Sequence, residues 1–267
     1  MLYLDALGTK EAARTINDDD LFDFVNAEAW YRRFLHHHNL EMVQQSLYFT
    51  DDIVVARPDD AGCEESLRSL FELLLGVGVY VVGMAIEIGR VVRGGFARGP
   101  ACIDANPLAK DGFARFNVAH GEGLIRAVVL EQQRARMPRV VLGNEVLAQI
   151  ESCVSGVSDP GAFFFVNKPQ LVRDLADEEV FVDHLGEVLS DTEPNLNILD
   201  GGTPTPRAAI TDQYRAFVIS NLDHPQAAAK YLWLAEYYDF SVARYGVGAP
   251  IGVGDASHFE IPSVSAG

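Results

Sequence analysis

The chain has 267 residues, of which 48% are hydrophobic, and its formal net charge is −17 at pH 7. This length and composition suit one large domain, or one domain with an appendage, around a sizeable buried core. The negative field repels nucleic-acid backbones and anionic membranes, so we expect neither as a partner. A nucleotide substrate is compatible with this charge, because divalent metal neutralises phosphate locally. Because acidic Asp5 interrupts the first apolar residues, we expect no signal peptide and a cytoplasmic protein.

The first part of the chain alternates strand and helix patterns. The patterns predict, in chain order, a strand at 2–7, a helix at 15–35, hairpin strands at 47–49 and 53–56, a helix from 64 that includes the apolar run 73–86, strands at 90–99 and 116–118, a helix at 121–136, a strand at 139–142 and a helix at 144–152. This order favours an α/β fold, an α+β sandwich with a mostly antiparallel sheet flanked by helices. We expect a catalytic core over residues 1–152.

The rest of the chain has a different pattern. We expect residues 153–246 to pack on the core, with strands at 163–166 and 180–184, a polar loop at 191–206, and helices at 208–222 and 226–245. The second helix carries an aromatic stripe at helical spacing, which is typical of core packing. Glycine-rich residues 247–267 predict a flexible tail.

Two acids mark the ends of two predicted strands. Asp5 is in the first strand, and Asp51 is in the hairpin turn beside Asp52, which we expect to be a plain turn residue. An acidic pair is a poor substitute for Asn-Gly in a tight hairpin, which suggests that the acids are needed there, although turns favour Asp in any case. Mg²⁺ and Mn²⁺ prefer oxygen ligands, and two ions can align an attacking hydroxyl with a polyphosphate leaving group. The acids therefore predict a metal site for phosphoryl transfer.

The segment that follows Asp5 turns from strand toward helix. Gly8 permits close approach, and the backbone N–H groups around Thr9 could hold a triphosphate. Lys10 could add a positive charge. We therefore expect Gly8, Thr9 and Lys10 to bind substrate phosphates.

Four segments, taken together, resemble the class III nucleotide cyclases. Residues 4–9 resemble the first metal motif, F-x-D-I-x-G-F; residues 49–51 resemble the second, at a hairpin; residues 93–99 resemble R-x-G-I-x-x-G; and residues 118–131 resemble D-I-W-G-x-x-V-N-x-A-x-R-L-E. Order and approximate spacing agree over roughly residues 2–150. The resemblance implies two Mn²⁺ or Mg²⁺ ions per site at Asp5, Asp51 and Ala6, and a homodimer with its active sites at the interface.

The departures from this pattern concern the base and the transition state. Class III adenylate cyclases recognise adenine through a Lys and an Asp, whose positions hold Leu47 and Val118 here. The transition-state Asn and Arg fall on Ile125 and Val129. The chain is then either an inactive cyclase or a cyclase for another base, and the presence of both metal acids favours the second.

Arg126 lies beside the lost Asn position, and Arg98 ends the strand motif. Both are candidates for the missing catalytic role in stabilising the transition state.

The whole pattern is similar to the pyrimidine cyclases of bacterial Pycsar anti-phage systems. The shared features are an F-[ST]-D hairpin, an R-G-[GA] strand, an A-x-x-L-E helix followed by Pro-Arg, and a K-Y-x-W-L-A-E-Y helix, here residues 230–237. The family's pattern places Tyr48 and Arg93 at the base, and an Arg can donate to a uracil carbonyl where cytosine offers an amine.

We therefore expect UTP as the substrate, converted to 3′,5′-cyclic UMP and pyrophosphate as an antiviral second messenger. A cytidylate cyclase and a non-catalytic nucleotide-sensing module remain open. A diguanylate cyclase or polymerase-palm relative would share the sheet layout, but it would need a GGDEF-like hairpin that this sequence lacks.

Overall fold

The computed structural model describes residues 1–6, 45–49, 52–56, 63–104, 118–156, 171–190 and 207–262. Within these ranges the strands are β1 (Leu2–Ala6), β2 (Gln45–Phe49), β3 (Asp52–Ala56), β4 (Val92–Phe96), β5 (Cys102–Asp104), β6 (Val118–His120), β7 (Val140–Leu142), β8 (Leu171–Asp174), β9 (Glu179–Val182) and β10 (Phe259–Glu260). The α-helices are α1 (Cys63–Gly83), α2 (Glu122–Gln133), α3 (Asn144–Gly156), α4 (His184–Ser190), α5 (Arg207–Asn221) and α6 (Ala228–Tyr245). A π-helical turn, Met84–Ile88, continues α1, and a 3-10 turn, Ala256–His258, precedes β10.

Eight of these strands form one sheet, in the order β10-β8-β9-β7-β4-β1-β3-β2. Its neighbouring strands are antiparallel except for the parallel pair β4 and β7. Strands β5 and β6 pair separately. The structure confirms the predicted fold class in its coarse form, a mixed α/β fold with a mostly antiparallel sheet.

The predicted hairpin is present beside the first strand. Strands β2 and β3 pair so that Phe49 lies opposite Asp52, which leaves a two-residue connection, Thr50 and Asp51. Strand β3 also pairs with β1, where Asp52 lies opposite Asp5. Our assignment of Asp52 to the turn is therefore wrong, because the strand pairing extends one residue further than the hydrophobic pattern indicated.

The alternation of β1 separates its two faces. Leu2, Leu4 and Ala6 are buried in the large core cluster, which also contains residues of α1 and α3. Tyr3 and Asp5 are half-buried and point to the opposite face, because successive strand residues alternate. Helix α2 lies on that opposite face, where its Ala127 and Leu130 pack in a second cluster. The sheet thus buries one face of β1 and leaves Asp5 accessible on the other.

Helix α2 lies unusually close to the sheet at Gly95. A Cβ atom added at Gly95 would be 2.1 Å from the carbonyl oxygen of Ala127. Any larger residue would therefore push the helix away from β4. The second glycine of the R-G-G segment thus fixes the spacing between α2 and β4.

The sheet continues across the predicted domain boundary at residue 152. Helix α3 runs through that position, and β9 pairs with β7. The predicted strand at 180–184 is β9, but His184 begins α4 instead. The predicted tail also needs correction, because β10 pairs with β8 and Asp239 accepts hydrogen bonds from the backbone N–H groups of Ile251 and Gly252.

Several predicted segments lie outside the described residues. They are the helix at 15–35, the strand at 163–166, the polar loop at 191–206 and the end of the tail at 263–267. In the parts of the chain that are described, no helix is both long and apolar enough to cross a membrane.

Candidate functional site

Asp5 and Arg93 form the centre of the candidate site. They lie directly opposite each other on β1 and β4. Arg93 donates from Nε and Nη2 to Oδ2 of Asp5, at 3.1 and 3.0 Å. The Asp5 side chain is 18% exposed and that of Arg93 is 26% exposed. The pair is therefore held by neighbouring strands but remains open to solvent.

A second carboxylate approaches the same guanidinium from α2. Oε1 of Glu131 lies 2.5 Å from Nε of Arg93, and its side chain is only 2% exposed. A buried carboxylate needs a compensating charge, and Arg93 provides one. Since Gly95 sets how closely α2 approaches β4, it also sets the distance from Glu131 to Arg93.

Lys230 is a further cation in this region, and we gave it no role from the sequence. It lies in the first turn of α6 and is half-buried. Burial, followed by the charge of Arg93, lowers the pKa of Lys230, whereas the charge of Asp5 raises it. The residue belongs to the K-Y-x-W-L-A-E-Y segment, which is the signal that would have pointed to it.

Most of the remaining predicted site residues cannot be placed. Asp51, Gly8, Thr9 and Lys10 lie outside the described residues, and only the backbone of Tyr48 is described, within β2. Ala6 ends β1 next to Asp5, and its Cα is paired with that of Val92. The predicted metal pair is thus located on one side only, at Asp5.

The structure does not bring Arg98 and Arg126 to Asp5. The backbone next to Arg98 pairs with Met1, at the opposite end of β1, about 15 Å of extended chain from Arg93. Arg126 donates to the Arg98 carbonyl at 3.4 Å and pairs with Glu122 at 2.5 Å. Within one chain, these two arginines lie at the end of β1 that is far from Asp5.

The two positions that differ most from the cyclase motif are exposed. Ile125 is 65% exposed and Val129 is 40% exposed, and they lie one turn apart on α2. With Arg126 they form an outer surface of this helix. Three other large apolar side chains in the described residues, Leu175, Ile219 and Leu232, have an exposure close to that of Val129, so Ile125 differs from the rest in its exposure.

The Asp5 carboxylate fits a divalent cation. Its Oδ2 accepts from Arg93, while no donor among the described residues bonds to Oδ1. The partial exposure of the side chain gives an ion access from solvent. The described ranges contain no group of three or more His, Cys, Asp or Glu that could hold a metal.

A second arginine–carboxylate cluster lies in the C-terminal part of the sheet, and its centre, Arg139 with Asp174, is buried. Arg139 is 0% exposed and donates from Nη1 to Oδ2 of Asp174 at 2.7 Å, and it also pairs with Asp177. Trp233 donates from Nε1 to the same Oδ2 at 2.8 Å. The guanidinium lies 5.7 Å from the centroid of the Trp233 ring and 5.8 Å from that of Phe181. This cluster attaches α6 to the sheet.

A buried polar network joins α4 to α6. Asp183 accepts from the hydroxyls of Tyr237 at 2.6 Å and Tyr245 at 2.9 Å, and burial raises its pKa. Beside it, burial lowers the pKa of His184 to about 3, and Nε2 lies 3.2 Å from the Tyr214 hydroxyl. Asp183, His184, Tyr214 and Tyr237 are buried, so these contacts hold α4 against α5 and α6.

Comparison with known proteins gives no family. No protein-family model matches the chain, and no curated protein matches it. A functional assignment therefore depends on the residues at the site and on the motif resemblance.

Proposed function

We propose that this protein is a metal-dependent pyrimidine nucleotide cyclase that converts UTP to 3′,5′-cyclic UMP and pyrophosphate. The observation that carries the proposal is the position of Asp5. Its partly exposed carboxylate lies on β1 beside a hairpin whose two-residue connection contains Asp51. This arrangement supports a pair of carboxylates across neighbouring strands, as a two-metal site requires.

The reaction joins O3′ of the ribose to the α-phosphorus of the same UTP molecule. The bond from the α-phosphorus to the pyrophosphate oxygen breaks, and the hydroxyl proton passes to solvent. Mn²⁺ or Mg²⁺ held at Asp5 and Asp51 would neutralise phosphate charge and polarise the α-phosphate. The protein's own contribution is mainly positioning.

Arg93 fits two parts of this proposal. Its Nε and Nη2 groups hold Asp5, whereas Nη1 makes no bond with a described residue. Nη1 therefore keeps its donors for a pyrimidine carbonyl. An arginine anchored by two carboxylates could orient the base without a large loss of side-chain entropy.

The positions of Arg98 and Arg126 support a homodimer. They lie at the end of β1 that is far from Asp5 of their own chain, so in this proposal they act from the second copy. The exposed apolar pair Ile125 and Val129 lies on the same helix as Arg126 and would be covered by that contact. A dimer with shared sites accounts for all four residues.

The resemblance to Pycsar cyclases extends the proposal to phage defence. The product would act there as a second messenger for a separate effector. The mixed α/β fold with its mostly antiparallel sheet is compatible with this proposal but does not select the reaction.

The proposal is tested by incubating the protein with each of the four ribonucleoside triphosphates and Mn²⁺, and identifying the products by chromatography and mass spectrometry. We expect cyclic UMP as the main product. Cyclic CMP as the main product would change the base while retaining the chemistry. Absence of any cyclic product would reject the cyclase and favour a non-catalytic nucleotide sensor, which the apolar residues Ile125 and Val129 at the transition-state positions would then explain.

The hairpin acids offer a matched pair of variants. We expect Asp51→Asn to abolish cyclic product and Asp52→Asn to retain most of it. Both substitutions remove one charge from adjacent positions, so a general charge effect would reduce both activities equally. The opposite ranking would show that Asp52, which lies opposite Asp5 in the strand register, is the metal ligand.

A further inference from the structure

The start of α6 lies beside the Asp5–Arg93 pair. Tyr231 packs in one apolar cluster with Val91, which precedes β4. Val91 and Arg93 are two residues apart in extended chain, so their side chains share a face of the sheet. The backbone carbonyl of Arg139 accepts a hydrogen bond from the N–H of Gly94. The guanidinium of Arg139 lies over the ring of Trp233, which follows Lys230 by one turn of α6. Packing on both sides therefore places the first turn of α6 against this part of β4.

Lys230 is the cation of that turn. Its preceding neighbours, Ala228 and Ala229, are exposed, whereas Lys230 is half-buried. Among the described residues, its ammonium has no hydrogen-bond or ion-pair partner. It lies close enough for electrostatic interaction with both Arg93 and Asp5. A half-buried ammonium without a partner is costly, and an anionic ligand would remove that cost.

The charges of the cluster also indicate a ligand of high negative charge. Asp5 and Glu131 are formally balanced by Arg93 and Lys230. Divalent ions added at Asp5 would make the site positive overall, which suits a polyphosphate. An ammonium is a compact charge that binds phosphate well without the planar geometry that a base edge requires.

We propose that Lys230 binds the polyphosphate of the nucleotide substrate, from the C-terminal helix, across the site from β1. This inference rests on the proposed function and adds a residue to it. Trp233, one turn further along α6, holds the helix to Asp174 and so positions Lys230. The C-terminal helix thus takes part in the site as well as in the core.

The test measures binding of inorganic pyrophosphate to the full chain by calorimetry, with and without Mn²⁺. We expect Lys230→Gln to raise the dissociation constant about tenfold or more, the range of a lost charge-assisted hydrogen bond. Lys230→Arg should retain most of the affinity. Arg215→Gln is the charge-matched control. Arg215 lies on α5 and donates to the carbonyl of Pro250, so this substitution should not affect pyrophosphate binding.

Two further readouts separate phosphate binding from a structural role. Lys230→Gln should weaken pyrophosphate and UTP but leave UMP binding and the melting temperature nearly unchanged. Equal loss for UMP, or unchanged pyrophosphate binding, would overturn the assignment of Lys230.

The same series keeps this inference separate from the cyclase proposal. If the wild-type protein makes cyclic UMP and Lys230→Gln binds pyrophosphate normally, only the assignment of Lys230 is rejected. If the wild-type protein binds pyrophosphate through Lys230 but makes no cyclic product, only the cyclase proposal is rejected.

Discussion

Two arginines of this protein, Arg139 and Arg93, are each paired with carboxylates, but they differ in their exposure to solvent. Arg139 is completely buried between the rings of Phe181 and Trp233, and it is paired with the buried Asp174 as well as with the more exposed Asp177. Arg93 and Asp5 are both partly exposed, and Arg93 bonds to only one of the two Asp5 oxygens. The comparison teaches that burial, more than the ion pair itself, distinguishes a structural cluster from a site that can accept a ligand.

The largest effect is expected at the buried cluster. Arg139→Met leaves Asp174 as a buried carboxylate without its cation, which should lower the free energy of unfolding by about 3 to 5 kcal/mol. Urea denaturation measures this. Arg173→Met is the control, because the Arg173–Glu260 pair is exposed and should contribute less than about 1 kcal/mol. Equal losses in the two variants would contradict the distinction between the clusters.

At the open cluster, the effect should fall more on activity than on stability. Asp5→Asn removes the carboxylate charge that holds metal, so we expect cyclisation to fall by roughly a thousandfold, about 4 kcal/mol in the transition state. The melting temperature should change less than in Arg139→Met, because Arg93 keeps Glu131 as a partner and is itself partly open to solvent. Steady-state kinetics and calorimetric melting are compared on the same sample. Retained activity would remove Asp5 from the site.

The buried histidine makes the stability of the protein depend on pH. His184 has an unfolded pKa near 6.5 and a folded pKa of about 3, so the unfolded state binds more protons between these values. Stability is therefore complete above pH 6.5 and falls as the pH drops, by about 2 kcal/mol at pH 5. The raised pKa of Asp183 acts in the opposite direction, since that contribution weakens as the pH rises.

His184→Asn should flatten the acid side of the stability curve, measured by urea denaturation at pH 5 and pH 7. His120→Asn, at an exposed position on β6, is the control and should leave the slope unchanged. An unchanged slope in His184→Asn would show that the imidazole is not buried neutral.

The smallest effect is expected at Glu131. Glu131→Gln leaves the Arg93 charge to Asp5 alone, which should weaken Mn²⁺ binding about tenfold. Electron paramagnetic resonance of free Mn²⁺ measures the dissociation constant. Glu122→Gln removes the same charge from the exposed start of α2 and should have no effect. If both variants weaken the metal equally, the coupling through Arg93 is wrong.

The sequence predicted several strands of the sheet, but it did not predict the contacts within the candidate site. Alternation and a strong hairpin pattern located β1, β2 and β3, because local periodicity reports directly on strands with one buried face. The four-residue β8, the two-residue β10 and the short helix α4 were missed, since such short elements depend on pairing with distant chain. The tail was misjudged for the same reason: its glycines hid contacts to Asp239 and β8.

The sequence indicated Asp5 and Arg93 as candidate site residues, but it did not predict that they contact each other. Nothing local relates Asp5 to Arg93 or Glu131, which come together only through the register of β1 with β4 and the close packing at Gly95. Glu131, Arg139 and Trp233 are positions of the family motifs, but their partners could not be predicted from the sequence. Lys230 was likewise visible only as part of a motif.

The sheet that runs past residue 152 has a consequence for the exchange of segments between related proteins. A chimaera joined at that point would cut α3 and combine a β7 edge from one parent with β9 from another. It would also separate Arg139 from Asp174 and Trp233, so three interacting surfaces would have to match at once. A functional exchange would therefore have to transfer both halves together. Substitutions in the C-terminal half should accumulate together with substitutions in the half that carries Asp5.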